Sequence, residues 1–290
     1  MALKLIIAGL RRSGTTIFWE TFRQDPRLLC YDEPFNPLLH VLPAGTGLKA
    51  PEEFIRLVER DGPGFWDRYA PIHFSQELRK GFGDREREYL AFLAASGEQV
   101  AIDVTRCQFK IPALGQVAPD AVLVHLYRSP ESLATSHLLP SSKGRRGKIK
   151  KLLARRGFWT RTDRYNGWSF QSIIGDSPEG WFGRRAAEIG IDPAELYRLP
   201  AVGRLLAYWK VNHERAERDG SRCFGERFVS QSFEEFCRDP RGTIERVYAA
   251  LAMSPPELDF TRIHPARGPY EADSAEWGRY RSMLGLPEQR

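Results

Sequence analysis

The residues most suited to chemistry lie near the start of the chain, in the stretch GLRRSGTT. Gly9 and Gly14 have the spacing of an ATP-binding loop, and Thr16 supplies the hydroxyl group of that motif. Thr15, however, stands where an ATP-binding loop has the lysine that contacts the transferable phosphates. A loop of this kind before a helix offers backbone N–H groups to an anion, and Arg12 adds a positive charge beside them. The stretch predicts a phosphate site without the lysine of nucleoside triphosphatases.

Two further sets of residues have a spacing that suits such a site. Arg128 follows an apolar segment predicted to be a strand, and Ser136 lies about two helical turns into the next predicted helix. This spacing can bring a guanidinium group and a hydroxyl group to one anion. The acidic pair Asp32 and Glu33 also follows an apolar strand, and α/β sheets have their active sites at the carboxyl ends of strands. Both sets are therefore candidate site residues.

Short apolar runs and helical patterns alternate along the chain and form the frame for these residues. The predicted strands are 3–8, 28–31, 99–105, 121–127 and 226–232, and the predicted helices are 15–25, 52–60, 84–96, 196–220, 239–253 and one that starts at Pro130. This alternation predicts an α/β fold, a P-loop-containing parallel sheet flanked by helices, in a single domain over 1–290. Residues 141–185 have no clear period, and we interpret them as a lid-like insertion over the site.

The charge of the chain is concentrated in one segment. The 290 residues carry a formal net charge of +6, while residues 143–156 alone contain eight Lys or Arg and no acid. Such a segment suits an anionic partner, either a lipid headgroup or an acidic or phosphorylated substrate, and it is also compatible with a solvated loop. Nucleic acid is not favoured as a partner. Contact with an anionic membrane surface through 143–156 is the more specific hypothesis.

The cysteines and the hydropathy exclude several protein classes. The four cysteines have neither CxxC nor Cys/His spacing, which predicts free thiols and no metal site. The apolar run at residues 5–10 is too short to span a membrane, and no signal-peptide pattern precedes the loop. We therefore expect a cytoplasmic protein, with peripheral membrane contact as an extension of the charge hypothesis.

The loop RRSGTT and the spacing of Arg128 and Ser136 together resemble the sulfotransferases that use 3′-phosphoadenosine-5′-phosphosulfate (PAPS). CYDEPF is similar to the YEP segment of Golgi carbohydrate sulfotransferases and their bacterial relatives. FKIPALGQVAPDAVLVHLYRSP is similar to the segment that leads up to the family's 3′-phosphate arginine. SFEEFCRDPRGTIERVYAAL resembles the YEDLxxDP segment with its helix, and SAEWGRYRSML the closing GRWR segment. These blocks fall within 5–37, 99–139 and 205–285, in the order of the family.

The resemblance implies a sulfotransferase-like fold and metal-independent, in-line transfer of a sulfuryl group to an acceptor hydroxyl. PAPS would be the co-substrate, and adenosine 3′,5′-bisphosphate the product. The loop would bind the 5′-phosphosulfate, and Arg12 would stabilise the charge that grows on the leaving phosphate. The second pair would bind the 3′-phosphate that distinguishes PAPS from ATP. The residues implied to bind PAPS are Arg11, Arg12, Ser13, Gly14, Thr15, Thr16, Arg128 and Ser136.

The acceptor hydroxyl needs a base, and here the sequence departs from the cytosolic aryl and steroid sulfotransferases. Those enzymes use a histidine a few residues after a Lys-Thr pair, whereas DVTRCQFK has no histidine and has Val104 in place of the lysine. Glu33 matches the glutamate of the carbohydrate-type and bacterial enzymes and is the predicted general base. Asp32 is the alternative base, and a solvated turn or helix cap is the structural alternative for the DEP segment.

The sequence leaves the acceptor and two rival functions open. Residues 158–185 are rich in Trp and Tyr, which can stack on a sugar ring or form the core of a lid. With the YEP resemblance they favour a carbohydrate or glycolipid hydroxyl over a small phenol or another alcohol. The first rival is a P-loop kinase or nucleotide hydrolase that uses Mg·ATP with Asp103 as its Walker acid. The second is a non-catalytic protein that binds nucleotides or polyanions through the basic segment.

Overall fold

The computed structural model of the chain describes residues 3–42, 51–138, 168–175, 177–264 and 274–286. The chain divides into two compact units. The first unit comprises Met1–Tyr127 and Arg215–Pro265, and the second comprises Arg128–Glu214 and Ala266–Arg290. The predicted single domain over 1–290, with its insertion at 141–185, stays a prediction, and residues 139–167 lie outside the described part of the chain.

A parallel sheet of five strands forms the frame of the first unit. Its strands are Leu3–Gly9 (β1), Leu29–Asp32 (β2), Val100–Val104 (β3), Val122–Tyr127 (β4) and Phe228–Ser232 (β5). Their order is β2-β3-β1-β4-β5, and every neighbouring pair is parallel. Strands inside a parallel sheet are covered on both faces, which explains the continuous apolar runs of β1, β3 and β4. The predicted parallel sheet of an α/β fold is confirmed.

The order of the strands determines where a ligand can bind. β1 lies between β3 and β4, so the direction of the strand order changes at its carboxyl end. Ala8 is in register with Val104, and Asp32 with Asp103. The ends of β1, β2 and β3 therefore meet at one edge of the sheet, and the predicted phosphate loop and acidic pair both start there.

Helices in the first unit flank the sheet, as predicted. They are Thr15–Phe22 (α1), Glu52–Asp61, Pro63–Arg68, Asp84–Ala94, Ile111–Val117, Phe233–Arg238 and Pro240–Ala250, with short 3-10 helices at Pro37–Val41, Phe74–Gln76, Gln108–Lys110 and Gly225–Arg227. The second unit contains Pro130–Leu138, Trp168–Ile174, Trp181–Ala187, Pro193–Arg198 and Ser274–Leu284. Ala201–Phe224 begins in the second unit and ends in the first. Within the described ranges, none of the helices combines the length and the apolar character that crossing a bilayer requires.

The long helix predicted over 196–220 is wrong at both ends. The structure has one helix that ends at Arg198 and a second that continues to Phe224. Leu199 is extended at φ −72° and ψ 148°, because a residue that precedes proline is disfavoured in the helical region. Gly220 does not end the helix: a Cβ atom there would lie 2.2 Å from the ring of Phe228, so this glycine allows close packing instead.

A buried carboxylate fixes the chain after α1. Asp25 is fully buried and accepts hydrogen bonds from the Tyr248 hydroxyl at 2.8 Å and from Nη2 of Arg27 at 2.7 Å. Arg27 also donates to the carbonyl of Ser254 at 2.8 Å. Burial raises the pKa of Asp25, but these hydrogen bonds lower it by more, so the net pKa lies below its ordinary value. The ionised carboxylate therefore stabilises the first unit.

We expect Asp25→Asn to lower the free energy of unfolding by about 1–3 kcal/mol at pH 7, because charged hydrogen bonds are lost in a buried place. A carboxylate with a lowered pKa contributes stability above its unfolded pKa of about 3.9, and this contribution disappears as the pH falls through the folded pKa. Urea titrations at pH 7 and pH 3 should therefore show a difference from wild type that shrinks in acid. Asp84→Asn, at a side chain that is 93% exposed, is the control. Equal stabilities at pH 7 would contradict the prediction.

Candidate active site

The predicted phosphate loop connects β1 to α1, and its two glycines lie at points of close approach. Gly14 is the N-cap of α1 at φ 92°, and a Cβ atom there would lie 2.2 Å from the ring of Phe233. A Cβ atom on Gly9 would lie 2.5 Å from Cγ2 of Thr15 and 2.6 Å from the carbonyl oxygen of Leu126. The glycine spacing read from the sequence is thus required by packing and, at Gly14, by a left-handed backbone conformation.

The start of α1 can accept an anion. The first turn of an α-helix leaves its N–H groups without intrahelical acceptors, and here these belong to Thr15, Thr16 and Ile17. The first turn of α1 contains no acidic residue. The Ser13 side chain is 1% exposed, and its hydroxyl has no hydrogen-bond partner among the described residues. A buried hydroxyl without a partner costs free energy that a ligand oxygen would recover, so these groups fit a phosphate or sulfate.

The two arginines of the loop have different surroundings. The Arg11 guanidinium forms a bidentate ion pair with the buried carboxylate of Glu77, and its Nη1 lies 2.7 Å from Oε2. Arg12 is exposed and has a left-handed backbone at φ 73°, which costs a residue with a side chain about 1–2 kcal/mol. Strained residues of this kind cluster at functional sites. The geometry favours Arg12 for contact with a ligand and Arg11 for support of the loop.

Three carboxyl groups lie at the carboxyl end of β2 and β3. Asp103 is fully buried, and its pKa is raised well above its ordinary value by burial and then by the charges of Asp32 and Glu33. The Thr15 hydroxyl offsets only part of this rise, and neither Asp103 oxygen has a partner with hydrogen-bond geometry among the described residues. Asp32 is also buried, at 4% exposure. The surroundings of Asp103 therefore disfavour a negative charge on this carboxyl group.

Glu33 is the more accessible of these acids, and two neighbours orient it. The Thr105 hydroxyl donates to Oε1 at 3.0 Å, and Nδ2 of Asn36 donates to Oε2 at 2.9 Å. Its backbone is left-handed, at φ 45°. Each carboxylate oxygen can accept a further hydrogen bond, so the Glu33 side chain can still receive a proton from an acceptor hydroxyl. This arrangement suits a general base held at a fixed position.

The sequence did not reveal the residues that hold the predicted groups in place. Asn36, Thr105 and Glu77 were not predicted as site residues. Asn36 could have been found, because it lies three residues after Glu33 in a turn, where an Asx side chain often bonds locally. Thr105 and Glu77 are 72 and 66 residues away from the groups they bind, and no local pattern indicates them.

The predicted 3′-phosphate pair lies in the second unit. Arg128 directly follows β4, and its carbonyl accepts a hydrogen bond from the Trp209 indole at 2.7 Å. Ser136 lies in the helix Pro130–Leu138, as predicted. Glu131 in this helix is 2% exposed and pairs with Arg281 of the helix near the end of the chain. The backbone around the pair is therefore well fixed, while its role in binding stays a prediction.

Several predicted features lie outside the described residues. The basic segment 143–156 is among them, as is most of the predicted lid. Of the residues 141–185, the structure describes 168–175 and 177–185, which contain the helix Trp168–Ile174 and the start of Trp181–Ala187. The lid and the membrane contact stay predictions.

Of the comparisons with known proteins, only the one with solved structures found similar proteins. No family model matches the sequence, and no curated protein is similar to it. Similar solved structures include a sulfotransferase from Mycobacterium avium, with 20% identity and a TM-score of 0.43 over 99% of this chain and 69% of that one. A sulfotransferase from Alicyclobacillus acidocaldarius has 15% identity and a TM-score of 0.43 over 99% of this chain and 98% of that one. The sulfotransferase domain of a Synechococcus olefin synthase has 13% identity and a TM-score of 0.41 over 97% of this chain and 87% of that one. Similarity at this level does not by itself assign an activity.

Proposed function

We propose that the chain is a sulfotransferase that transfers the sulfuryl group of PAPS to an acceptor hydroxyl. The observation that carries the proposal is a phosphate loop without its lysine, at the same sheet edge as the hydrogen-bonded Glu33 carboxylate. Phosphoryl transfer from ATP usually relies on that lysine and on a Mg²⁺ ligand. Sulfuryl transfer of the kind implied by the resemblance needs an anion site, a fixed positive charge and a base, and the start of α1, Arg12 and Glu33 are our candidates for these three roles.

The proposed reaction assigns one role to each group. The acceptor oxygen attacks sulfur in line with the bond to the leaving phosphate, its proton passes to the Glu33 carboxylate, and the sulfur–oxygen bond to the phosphate breaks. The leaving bisphosphate gains one negative charge, which Arg12 and the N–H groups at the start of α1 stabilise. Arg128 and Ser136 bind the 3′-phosphate. The proposal needs no metal, and Asp103 has no part in it.

The rival Mg·ATP reaction depends on Asp103 as a metal ligand. The proposed reaction gives Asp103 no role, so the response of nucleotide binding to Mg²⁺ distinguishes the two reactions. A carbohydrate or glycolipid acceptor, a cytoplasmic location and peripheral membrane contact through 143–156 are finer parts of the proposal, supported by the sequence alone. Transfer of labelled sulfate from PAPS to a panel of glycans, glycolipids and phenols tests the acceptor.

Calorimetry tests the choice of nucleotide. We expect adenosine 3′,5′-bisphosphate to bind without Mg²⁺ and more tightly than Mg·ATP. Arg128→Ala should weaken this binding by about 10- to 100-fold, the equivalent of one lost charged hydrogen-bond pair. Arg198→Ala, at a side chain that is 73% exposed in the same unit, is the matched control and should leave the affinity unchanged. A preference for Mg·ATP would overturn the proposed function.

A further inference from the structure

A buried carboxylate outside the predicted site connects Arg11 of the phosphate loop to a second arginine, Arg106. Glu77 is 4% exposed and lies in the segment after the 3-10 helix Phe74–Gln76. It pairs with Arg11 of the phosphate loop and also accepts from Nη1 of Arg106 at 2.7 Å. Arg106 is 5% exposed and follows β3 by two residues. One carboxylate therefore ties the loop after β1 to the segment after β3.

The position of Glu77 is itself fixed from two sides. The guanidinium groups of Arg11 and Arg106 lie 4.9 Å and 4.8 Å from the centre of the Phe74 ring, so the ring supports both. The buried ammonium of Lys110 donates to the Glu77 carbonyl at 3.2 Å and to that of Gln76 at 2.9 Å. The Lys110 ammonium therefore fixes the backbone at Glu77, and the Phe74 ring supports the guanidinium groups that bind its carboxylate.

The other end of the network reaches the predicted base. Nη2 of Arg106 lies 3.5 Å from Oδ1 of Asn36, a long contact, and the backbone N–H of Leu38 donates to the same oxygen at 3.1 Å. Two donors on Oδ1 fix the orientation of the Asn36 amide, so that Nδ2 must face Glu33. The chain of contacts thus runs from Arg11 through Glu77, Arg106 and Asn36 to Glu33.

The charges in this network depend on one another. It contains two carboxylates and two guanidinium groups. Burial and the charge of Arg11 lower the pKa of Arg106, and the charges of Glu77 and Glu33 oppose that change. Without the Glu77 charge, the buried guanidinium of Arg106 and the partly buried guanidinium of Arg11 would lose the carboxylate that they share. The position of Glu33, which depends on Arg106 through Asn36, would then change.

We propose that Glu77 is a positioning residue for sulfuryl transfer, which holds the phosphate loop through Arg11 and the Glu33 carboxylate through Arg106 and Asn36. The inference rests on the proposed function. Glu77 itself touches neither substrate nor reacting atoms in this scheme. It sets the distance between the loop that holds the donor and the base that takes the acceptor proton.

The test compares Glu77→Gln with wild type in two measurements. We expect kcat to fall by about 10- to 100-fold, the usual effect of a small misplacement of reacting groups. The Kd for adenosine 3′,5′-bisphosphate, measured by calorimetry, should rise only about 3- to 10-fold, since the N–H groups of α1 remain.

Two further variants make the result decisive. Asp25→Asn removes another buried, paired carboxylate of the first unit and should leave kcat and the Kd for the bisphosphate unchanged. If Glu77→Gln does not fold, Arg106→Met replaces it as the test variant. Its kcat should fall about 10-fold or more. Its Kd for the bisphosphate should stay within about twofold, because the ion pair of Arg11 and Glu77 remains. Wild-type kcat in Glu77→Gln, or in Arg106→Met where that variant replaces it, would overturn the inference alone. A wild-type protein that does not bind the bisphosphate would overturn the proposed function instead.

Discussion

Glu33→Gln is expected to lower kcat for sulfuryl transfer by about 100-fold or more, the usual contribution of a general base, while the Kd for adenosine 3′,5′-bisphosphate stays within about twofold. Glutamine has the size of glutamate and can still accept from the Thr105 hydroxyl. It cannot take up the acceptor proton. The NH2 group of the new glutamine would face Nδ2 of Asn36, so two hydrogen-bond donors would meet. We expect this contact to lower the free energy of unfolding slightly.

The controls for this variant separate the base from its surroundings. Asp32→Asn changes the neighbouring buried acid, the alternative base, and should retain most of the activity if Glu33 is the base. Glu52→Gln, at a side chain that is 55% exposed, should behave as wild type. Loss of turnover in Asp32→Asn with normal turnover in Glu33→Gln would assign the base to Asp32. Normal turnover in both variants would show that neither Glu33 nor Asp32 is required as the base.

The sequence was sufficient for the centre of the sheet because β1, β3 and β4 are continuous apolar runs with clear ends. LKLIIAG and VAIDV differ from their surroundings over their whole length, and parallel strands need no partner pattern to be recognised. The prediction of one helix over 196–220 was wrong for a different reason. Its apolar period continues across Pro200, so only the rule for residues before proline could have indicated the break.

Only the parts of the site that lie in short, contiguous segments could be predicted from the sequence. The loop and the DEP segment are contiguous, and their residue types indicate an anion site and a carboxylate. The partners of Glu33 and Arg11 come from distant segments, and their contacts depend on tertiary structure. The left-handed backbone conformations could not be predicted from the sequence either. Three described non-glycine residues have a positive φ, and two of them, Arg12 and Glu33, are the predicted catalytic pair. The third, Ala252, follows the helix Pro240–Ala250, where such a conformation is common.

This strain leads to the second large effect, at Arg12. We expect Arg12→Gly and Arg12→Ala both to lower kcat by about 100- to 1000-fold, as the loss of one preorganised charge at a leaving group does. The two variants should differ in stability. Glycine adopts φ 73° without strain, whereas alanine does not, so Arg12→Gly should have a free energy of unfolding about 1 kcal/mol higher than Arg12→Ala. Urea titration and steady-state kinetics on the same preparations measure both quantities.

Arg12→Lys separates charge from shape, since lysine retains the charge but lacks the planar fork of arginine. We expect its kcat to lie between those of wild type and Arg12→Gly. Arg60→Ala, at a side chain that is 53% exposed in the same unit, is the control for loss of an arginine and should keep full activity. If Arg12→Gly retained wild-type kcat, the positive charge of Arg12 would not act on the leaving phosphate. The left-handed backbone at this position would then have no connection with catalysis. Equal stabilities of the Gly and Ala variants would instead show that the left-handed conformation relaxes when the side chain is removed.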